Sequence, residues 1–331
     1  MKTQAIIFPE ANSYKITTLT LDKMGTEDVL VRTLTTAVSP GTERWTLRGK
    51  HMGTSFPCVP GYHRIGIVED CGSEVTELQV GDIVYGSSNR WQEKNIKSMF
   101  GAHVGYSVAN ASAYTFLSSK MMSDFELKTV CFTILISIAQ RGIETLNMKK
   151  SNKMLMIGSG FIGLMGAQLA AMQGVETILL DVNSQIIKFV NKTFPNQKII
   201  SPLDKNWLKE LKSIAPQGFE YLYDTVGHAE TTNALISLMH QQGEIMLQAQ
   251  YFDKQKQAID LDMIKVKELT IKSTCGPSPD AMRKTINQIL NRELKVAPLI
   301  THHFKAKDAI KAYELLDKNT EFNLGMLIDW R

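Results

Sequence analysis

The stretch Ile157-Gly-Ser-Gly-Phe-Ile-Gly163 decides the fold of this chain. The apolar run Met154-Leu-Met-Ile157 precedes the glycines and is typical of a buried strand, and a helical pattern follows from Leu164 to Ala170. Glycines spaced G-x-G-x-x-G between a strand and a helix are a fingerprint of dinucleotide binding. The sequence therefore predicts a strand-turn-helix unit that holds a dinucleotide.

Each position of the fingerprint has an expected part in binding. Gly158 allows the tight turn, Gly160 lets the backbone approach the pyrophosphate, and Gly163 lets the helix pack closely on the strand. Phe161 and Ile162 lie at the start of the helix, where backbone N–H groups and the helix dipole stabilise negative charge. We expect these five residues to contact the cofactor.

Asp181 follows the next predicted strand, Glu176-Thr-Ile-Leu-Leu180, about 20 residues beyond the turn as the fingerprint requires. A carboxylate there accepts hydrogen bonds from the adenine ribose and repels a 2′-phosphate. The sequence therefore favours NAD(H) over NADP(H). The alternative is that Asp181 only caps a turn and that the glycines serve only a tight corner.

Strands alternate with helices from Lys153 to about Thr274, a pattern that predicts a parallel sheet covered on both faces. The spacing of apolar residues changes earlier in the chain, at the capping box Ser123-Asp-Phe-Glu126. This box should begin a buried helix running to about Leu146. We therefore expect a doubly wound Rossmann α/β domain over residues 123–274.

The chain up to about Asn110 is rich in short alternating strands, which predict a β-rich domain. Two loops interrupt it, Ser39-Pro-Gly-Thr-Glu43 and Val59-Pro-Gly-Tyr-His63, and loops on a rigid scaffold often carry function. The tail is expected to rejoin this domain, which would then comprise residues 1–122 and 275–331.

Composition excludes several classes of protein. Of 331 residues, 44% are hydrophobic, so a large core is available, and the net charge of +4 is spread along the chain, which argues against nucleic acid as a partner. The longest apolar run, Val130–Ala139, is too short for a membrane span, and the N-terminus lacks a signal-peptide pattern. These features predict a cytoplasmic protein without a membrane partner. The four cysteines form no Cys-x-x-Cys motif.

Five further motifs, in this order and spacing, make the chain resemble the medium-chain dehydrogenase/reductase family. They are Pro60-Gly-Tyr-His-Arg-Ile-Gly66, Val80-Gly-Asp82, Tyr223-Asp-Thr-Val-Gly227, Gly243-Glu-Ile-Met-Leu247 and Pro298-Leu-Ile-Thr301. The resemblance implies a GroES-like catalytic domain beside the Rossmann domain, with a small-molecule substrate in the cleft between them. It also implies hydride transfer to or from nicotinamide and a homodimer formed through the edge of the Rossmann sheet.

Many members of this family hold a catalytic zinc ion, but the matching positions here carry other residues. Pro40 replaces the first cysteine ligand, and Tyr62 replaces the histidine ligand. Cys131 lies near the expected third ligand, but one soft ligand cannot hold zinc, which needs three protein donors. We therefore expect no catalytic metal.

The motifs Ser39–Glu43 and Pro60-Gly-Tyr62 are more narrowly similar to zinc-free relatives typified by the bacteriochlorophyllide 3-hydroxyethyl dehydrogenases, which oxidise a secondary alcohol to a ketone. Without a metal, a protein group must accept the hydroxyl proton. The candidates are Thr42, which matches the family's Ser/Thr at the substrate oxygen, Tyr62 and His63. Whether Tyr62 or His63 is the proton acceptor stays open, as does a structural part for each.

Other polar residues are expected to be structural: Glu43 would pair with a basic neighbour such as Arg64, and His103 and His302 would be hydrogen-bonded in the fold. The leading hypothesis is a zinc-independent oxidoreductase that transfers a hydride between NAD(H) and a secondary alcohol or ketone. One alternative is an enone or quinone reductase of the same fold, which takes its proton from water. Another is a catalytically inactive NAD(H)-binding protein.

Overall fold

The computed structural model describes residues 1–251, 258–318 and 322–331. The strands are β1 Lys2–Ile7, β2 Lys15–Thr20, β3 Asp28–Val38, β4 Cys58–Val59, β5 His63–Cys71, β6 Ile83–Tyr85, β7 Lys97–Ser98, β8 Tyr106–Asn110, β9 Thr115–Ser118, β10 Lys153–Ile157, β11 Glu176–Leu180, β12 Ile199–Ile200, β13 Phe219–Asp224, β14 Met239–Leu247, β15 Thr270–Ser273, β16 Ile300–Lys305 and β17 Gly325–Asp329. The helices are α1 Pro40–Leu47, α2 Asp124–Val130, α3 Thr133–Thr145, α4 Phe161–Met172, α5 Ser184–Thr193, α6 Trp207–Ile214, α7 Ala229–Ile236, α8 Leu261–Val266, α9 Pro279–Leu290 and α10 Ile310–Lys318.

The chain divides into two compact units, of which the second comprises Leu135–Leu294. Its sheet has the strand order β12-β11-β10-β13-β14-β15, and each neighbouring pair is parallel. This is the order of a doubly wound dinucleotide-binding fold, whose ligand site lies at the carboxyl ends of the strands where the order reverses. The apolar residues of β10, β11 and β13 are buried because helices cover the sheet. The predicted Rossmann sheet is confirmed.

The first unit comprises Met1–Ile134 and Lys295–Arg331. Its main sheet has the order β16-β17-β3-β5-β6-β9, with β8 also pairing with β3. The pair β16-β17 is parallel, and the other pairs are antiparallel. The long central strand β3 is buried along most of its length, and the C-terminal strand β17 completes the sheet beside it. The chain therefore returns to its N-terminal β region, as the GroES-like fold requires.

The segment 123–146 forms two helices, not the single helix expected from the sequence. The Ser123–Glu126 capping box is present and begins α2. The helix is interrupted because the N–H of Phe132 bonds the carbonyl of Thr129, one residue short of the helical spacing. As a result α2 belongs to the first unit, and the unit boundaries lie at 134/135 and 294/295, compared with the expected 122/123 and 274/275.

The segment Pro40–Glu43, expected to be a loop, is the first turn of α1. Proline at the first helical position is favoured because its fixed φ suits the helix and its missing N–H would have no partner there. The turn places the side chains of Ser39, Thr42 and Glu43 at one helix end. No helix in the described ranges has the length and apolar character needed to cross a bilayer.

Candidate active site

The glycine-rich turn joins β10 to α4 with the geometry that the fingerprint requires. Gly158 has a φ of 90°, in the region that favours glycine. A Cβ on Gly163 would lie 2.0 Å from the carbonyl oxygen of Gly158, so this position needs glycine for helix and strand to pack. A Cβ on Gly160, in contrast, would meet no heavy atom within 4 Å. The open space over Gly160, at the start of a helix, is the shape that a pyrophosphate needs.

Phe161 and Ile162 form the first turn of α4, with Gly160 as its N-cap. The side chain of Phe161 is buried in the unit, and that of Ile162 is half-buried. What these residues offer to an anion is therefore their backbone, since the first turn of a helix directs its N–H groups outward along the axis.

Asp181 directly follows β11 at the same edge of the sheet. One carboxylate oxygen accepts a hydrogen bond from the N–H of Ser159 at 2.8 Å, and the other accepts one from the N–H of Asn183 at 2.9 Å. A carboxylate has about four lone-pair positions, so acceptor capacity remains for two ribose hydroxyls. The glycine-rich turn thus orients the acid that the fingerprint places beside it.

Asp224, at the end of β13, is fully buried and is not available to a substrate. Its oxygens accept hydrogen bonds from the N–H groups of Val226 and Gly227 at 2.8 and 3.0 Å and from the Tyr251 hydroxyl at 2.8 Å. Burial and this carboxylate hold the pKa of Tyr251 well above its ordinary value. Asp224 therefore shapes the strand end beside the glycine-rich turn.

In the first unit, a hydrogen bond joins two of the three predicted catalytic residues, Thr42 and Tyr62. The Tyr62 hydroxyl lies 3.1 Å from the Thr42 hydroxyl and 2.9 Å from the Ser39 hydroxyl. The phenolic hydroxyl of Tyr62 is thus hydrogen-bonded to two other hydroxyl groups. Burial raises the pKa of Tyr62, and its hydrogen bonds with Ser39 and Thr42 oppose the shift only in part. At neutral pH the phenol is therefore protonated.

His63 is buried, and its ring stacks on that of Tyr62 with centroids 4.4 Å apart. Its Nδ1 lies 3.0 Å from the carbonyl oxygen of Cys131, an acceptor, so Nδ1 carries the proton. Its Nε2 is buried without a hydrogen-bond partner among the described residues. Burial lowers the pKa of His63 to about 3, far from the unperturbed value that makes it attractive as a base. Its ring instead supports the phenol of Tyr62.

Glu43 pairs with His103 and not with Arg64, so the expected pairing is wrong. Its carboxylate accepts hydrogen bonds from Ser39 N at 2.8 Å, from the Tyr313 hydroxyl at 2.7 Å and from His103 Nε2 at 3.1 Å. These side chains are all buried. Because Glu43 holds the backbone of Ser39, it also positions the Ser39 hydroxyl that is hydrogen-bonded to the phenol of Tyr62. His103 is structural, as expected.

The Arg64 guanidinium is fully buried and contacts neutral oxygens. It donates to the carbonyls of Ser88 and Gly101 at 3.1 and 3.0 Å and to the Tyr114 hydroxyl at 2.9 Å. Further acceptors are the Ser107 hydroxyl and the carbonyls of Ser87 and Ala102. Its charge is thus spread over backbone and hydroxyl dipoles.

The donors at the expected zinc position do not fit that metal. Cys131 is buried, its Sγ lies 3.7 Å from the carbonyl of Thr35, and burial raises the pKa of its thiol well above the ordinary value. His63 Nε2 supplies one nitrogen, and Tyr62 a neutral phenol. Across the described ranges, no three His, Cys, Asp or Glu side chains are grouped as metal ligands. Zinc needs three such donors.

Two parts of this site lay outside the sequence predictions. Nothing local in the sequence relates the Ser39 hydroxyl to Tyr62, 23 residues away. The pairing of Glu43 with His103 spans 60 residues. Gly61 is a sequence signal for the buried position of His103, because a Cβ there would lie 2.3 Å from the His103 ring. The glycine leaves room for that histidine.

Known sequence families match both units. The pattern described as "Alcohol dehydrogenase GroES-like domain" matches residues 25–124, and that described as "Zinc-binding dehydrogenase" matches residues 162–291. The chain is 23% identical to 2-desacetyl-2-hydroxyethyl bacteriochlorophyllide A dehydrogenase of Cereibacter sphaeroides, covering 100% of this chain and 99% of the relative. It is 22% identical to L-threonine 3-dehydrogenase of Vibrio cholerae, covering 94% of each.

Among solved structures, benzyl alcohol dehydrogenase from Acinetobacter calcoaceticus superposes with a TM-score of 0.85 at 16% identity, covering 99% of both chains. That likeness shows a shared fold. The family matches on both units, together with the strand order and the glycine-rich turn, agree with the sequence motifs. The chain is therefore an oxidoreductase that belongs to the medium-chain dehydrogenase/reductase family, whose cofactor is a nicotinamide dinucleotide.

Proposed function

We propose that this protein transfers a hydride, without zinc, between NAD(H) and a small secondary alcohol or ketone. The observation that carries the proposal is the neutral Tyr62 phenol, hydrogen-bonded by Ser39 and Thr42, in place of a metal ligand set. NAD(H), when bound, supplies or accepts the hydride. The side chains of the first unit must then supply or accept the proton.

In ketone reduction, negative charge develops on the substrate oxygen as the hydride arrives at carbon. Tyr62 donates its phenolic proton to that oxygen, and the hydroxyls of Ser39 and Thr42 stabilise the phenolate until it is reprotonated. In alcohol oxidation the same proton moves in the opposite direction. Because burial raises the pKa of Tyr62, reduction has its donor ready at neutral pH, whereas oxidation requires a higher pH.

The preference for NAD(H) is supported by Asp181, whose orientation beside the glycine-rich turn suits a ribose diol. A 2′-phosphate would meet the carboxylate as a like charge, which costs free energy. The open position at Gly160 supports binding of the pyrophosphate at the start of α4.

An enone or quinone reductase is the second candidate, and one observation favours it. At neutral pH neither Tyr62 nor His63 is available as a base, because burial keeps the Tyr62 phenol protonated and lowers the pKa of the His63 ring. Reduction of a carbon–carbon double bond or a quinone needs a proton donor and no base. A neutral phenol is sufficient for that reaction.

A homodimer through the outer strand of the Rossmann sheet is also proposed. β15 is at the end of the strand order, and the Ile271 side chain on it is 40% exposed. Within the described part of the chain, no strand pairs with the outer edge of β15. A free edge with an exposed apolar residue favours pairing with a second copy. Light scattering should give a dimer that Ile271→Glu converts to monomer, whereas Leu203→Glu, at another exposed apolar residue, leaves it intact; a monomeric wild type would contradict the proposal.

The test of function is a two-panel assay followed at the nicotinamide absorbance. Secondary alcohols and their ketones form one panel, and enones and quinones form the other, each with NAD(H) and NADP(H). We expect turnover on the first panel that survives a strong chelator, with less than one zinc per ten chains by elemental analysis. Turnover confined to the second panel would establish the reductase. Cofactor binding without turnover on either would leave a non-catalytic NAD(H)-binding protein.

A further inference from the structure

Phe100 combines an unusual backbone with an exposed ring. Its φ is 74°, a left-handed conformation that bulky residues rarely adopt, and its side chain is 42% exposed. Strain of this kind persists only where surrounding contacts force it, and it is concentrated at ligand-binding positions.

Hydrogen bonds on both sides force this conformation. The N–H of Met99 bonds the carbonyl of Val59 at 2.8 Å, and the N–H of Ala102 bonds the carbonyl of Gly61 at 2.6 Å. The two acceptors lie at the end of β4 and just after it, on the stretch that leads to the candidate proton donor, Tyr62. Phe100 is therefore clamped to the same segment as the phenol.

The buried guanidinium of Arg64 adds a third anchor. Its Nη2 donates to the carbonyl of Gly101 at 3.0 Å, directly after Phe100. Arg64 is only two residues beyond Tyr62. The distance between the ring of Phe100 and the phenol is thus fixed by short, buried links.

The ring of Phe100 packs edge-on against that of Tyr62, with centroids 4.8 Å apart and planes at 67°. On another side it meets the His51 ring, with centroids 6.2 Å apart at 77°. The part of the Phe100 side chain that stays exposed is apolar ring surface, next to the ring of Tyr62. An exposed aromatic ring binds another planar ring by offset or edge contacts.

We propose that Phe100 is a specificity-determining residue that selects secondary alcohols and ketones bearing an aromatic ring next to the reacting carbon. The proposal rests on the proposed function, because it takes the Tyr62 phenol as the group that contacts the substrate oxygen. A ring one bond from the carbinol carbon would lie against Phe100 while the oxygen faces the phenol.

The experiment compares 1-phenylethanol with 1-cyclohexylethanol, which match in size and differ in aromaticity. The wild type should prefer the phenyl compound in kcat/KM by about 2- to 10-fold, the range that an aromatic pair contributes beyond buried area. Phe100→Leu should bring the ratio close to 1, and Phe100→Tyr should retain it. Phe116→Leu, at a half-exposed phenylalanine of β9, is the matched control and should leave the ratio unchanged.

Binding of acetophenone and cyclohexyl methyl ketone, measured by saturation-transfer NMR on the same variants, separates the two hypotheses. If the enzyme turns over both alcohols and Phe100→Leu does not change the ratio of their kcat/KM values, the specificity assignment is wrong and the proposed function is retained. Absence of turnover, with a binding preference for acetophenone that Phe100→Leu abolishes, supports the assignment and overturns the function. Neither turnover nor ring-dependent binding overturns both.

Discussion

The glycine-rich turn of the second unit and the hydroxyl cluster of the first are built by opposite means. The turn is made by backbone from residues 157–163, which are adjacent in the chain, with Asp181 added from the next strand. The cluster is made by side chains of Ser39, Thr42 and Tyr62, which meet only after α1 and the segment before β5 have come together. We therefore expect the glycine-rich turn to be more sensitive to substitution of its glycines than of its side chains. The hydroxyl cluster should be sensitive to substitution of its side chains.

The largest expected effect is at Tyr62. Tyr62→Phe keeps the ring and removes the hydroxyl, so ketone reduction should fall roughly 100- to 10,000-fold while the melting temperature changes little. In the wild type, oxidation should rise with pH well above neutrality because burial raises the pKa of Tyr62, and the variant should lose that rise. Tyr106→Phe, at a half-buried tyrosine of β8, is the control. Unchanged rates and pH profile would remove the phenol from the mechanism.

The backbone site is tested by a pair of glycine substitutions. Gly163→Ala places a Cβ against the Gly158 carbonyl, so it should cost about 1–3 kcal/mol of unfolding free energy and lose NADH binding as well. Gly160→Ala places its Cβ in open space, so the variant should fold normally. Its affinity for NADH should nevertheless fall by about 100-fold, because the Cβ occupies the pyrophosphate position. Calorimetry and fluorescence titration measure both. Full NADH affinity in Gly160→Ala would place the pyrophosphate elsewhere.

A smaller effect is expected at Asp181. Asp181→Asn removes the charge and keeps one acceptor oxygen, so NADH affinity should fall about tenfold. The difference in affinity between NADH and NADPH should therefore become smaller. Asp204→Asn, in the loop after β12, is the matched control. A wild type that binds NADPH more tightly than NADH would contradict the cofactor preference.

The smallest effect concerns the pH dependence of stability through His63. Its folded pKa of about 3 lies below the unfolded value of about 6.5, so the unfolded state binds more protons between these values and stability falls as pH drops below 6.5. From pH 7 to 5.5 the wild type should lose about 1 kcal/mol relative to His63→Gln. Urea denaturation at both pH values measures the difference. Equal losses in the two proteins would show that His63 is not buried neutral.

How far the sequence predicts each site follows from the same contrast. The glycine-rich turn, the position of Asp181 directly after a strand and the parallel sheet were predictable because strand, turn and helix signals are local. The partner of Glu43 was not, since His103 and Tyr313 reach it from 60 and 270 residues away. The pKa of His63 was equally hidden, because burial depends on the whole unit.

The helix at Pro40–Leu47 illustrates an intermediate case. Pro40 and Gly41 are typical of turns, which favoured a loop, yet proline at the first position also begins helices. The sequence alone does not choose between these. The structure does so through Glu43, whose carboxylate accepts the N–H of Ser39 at the helix start.

Arg64 has a consequence for the order of assembly of the first unit. Its guanidinium is satisfied only when segments around residues 87, 101, 107 and 114 have all converged on it. Loop closure over such separations is completed late, after the locally connected strands have paired. Contacts absent from the folding transition state act on unfolding alone. We therefore expect substitution of this buried arginine to raise the unfolding rate of the unit more than it lowers the folding rate.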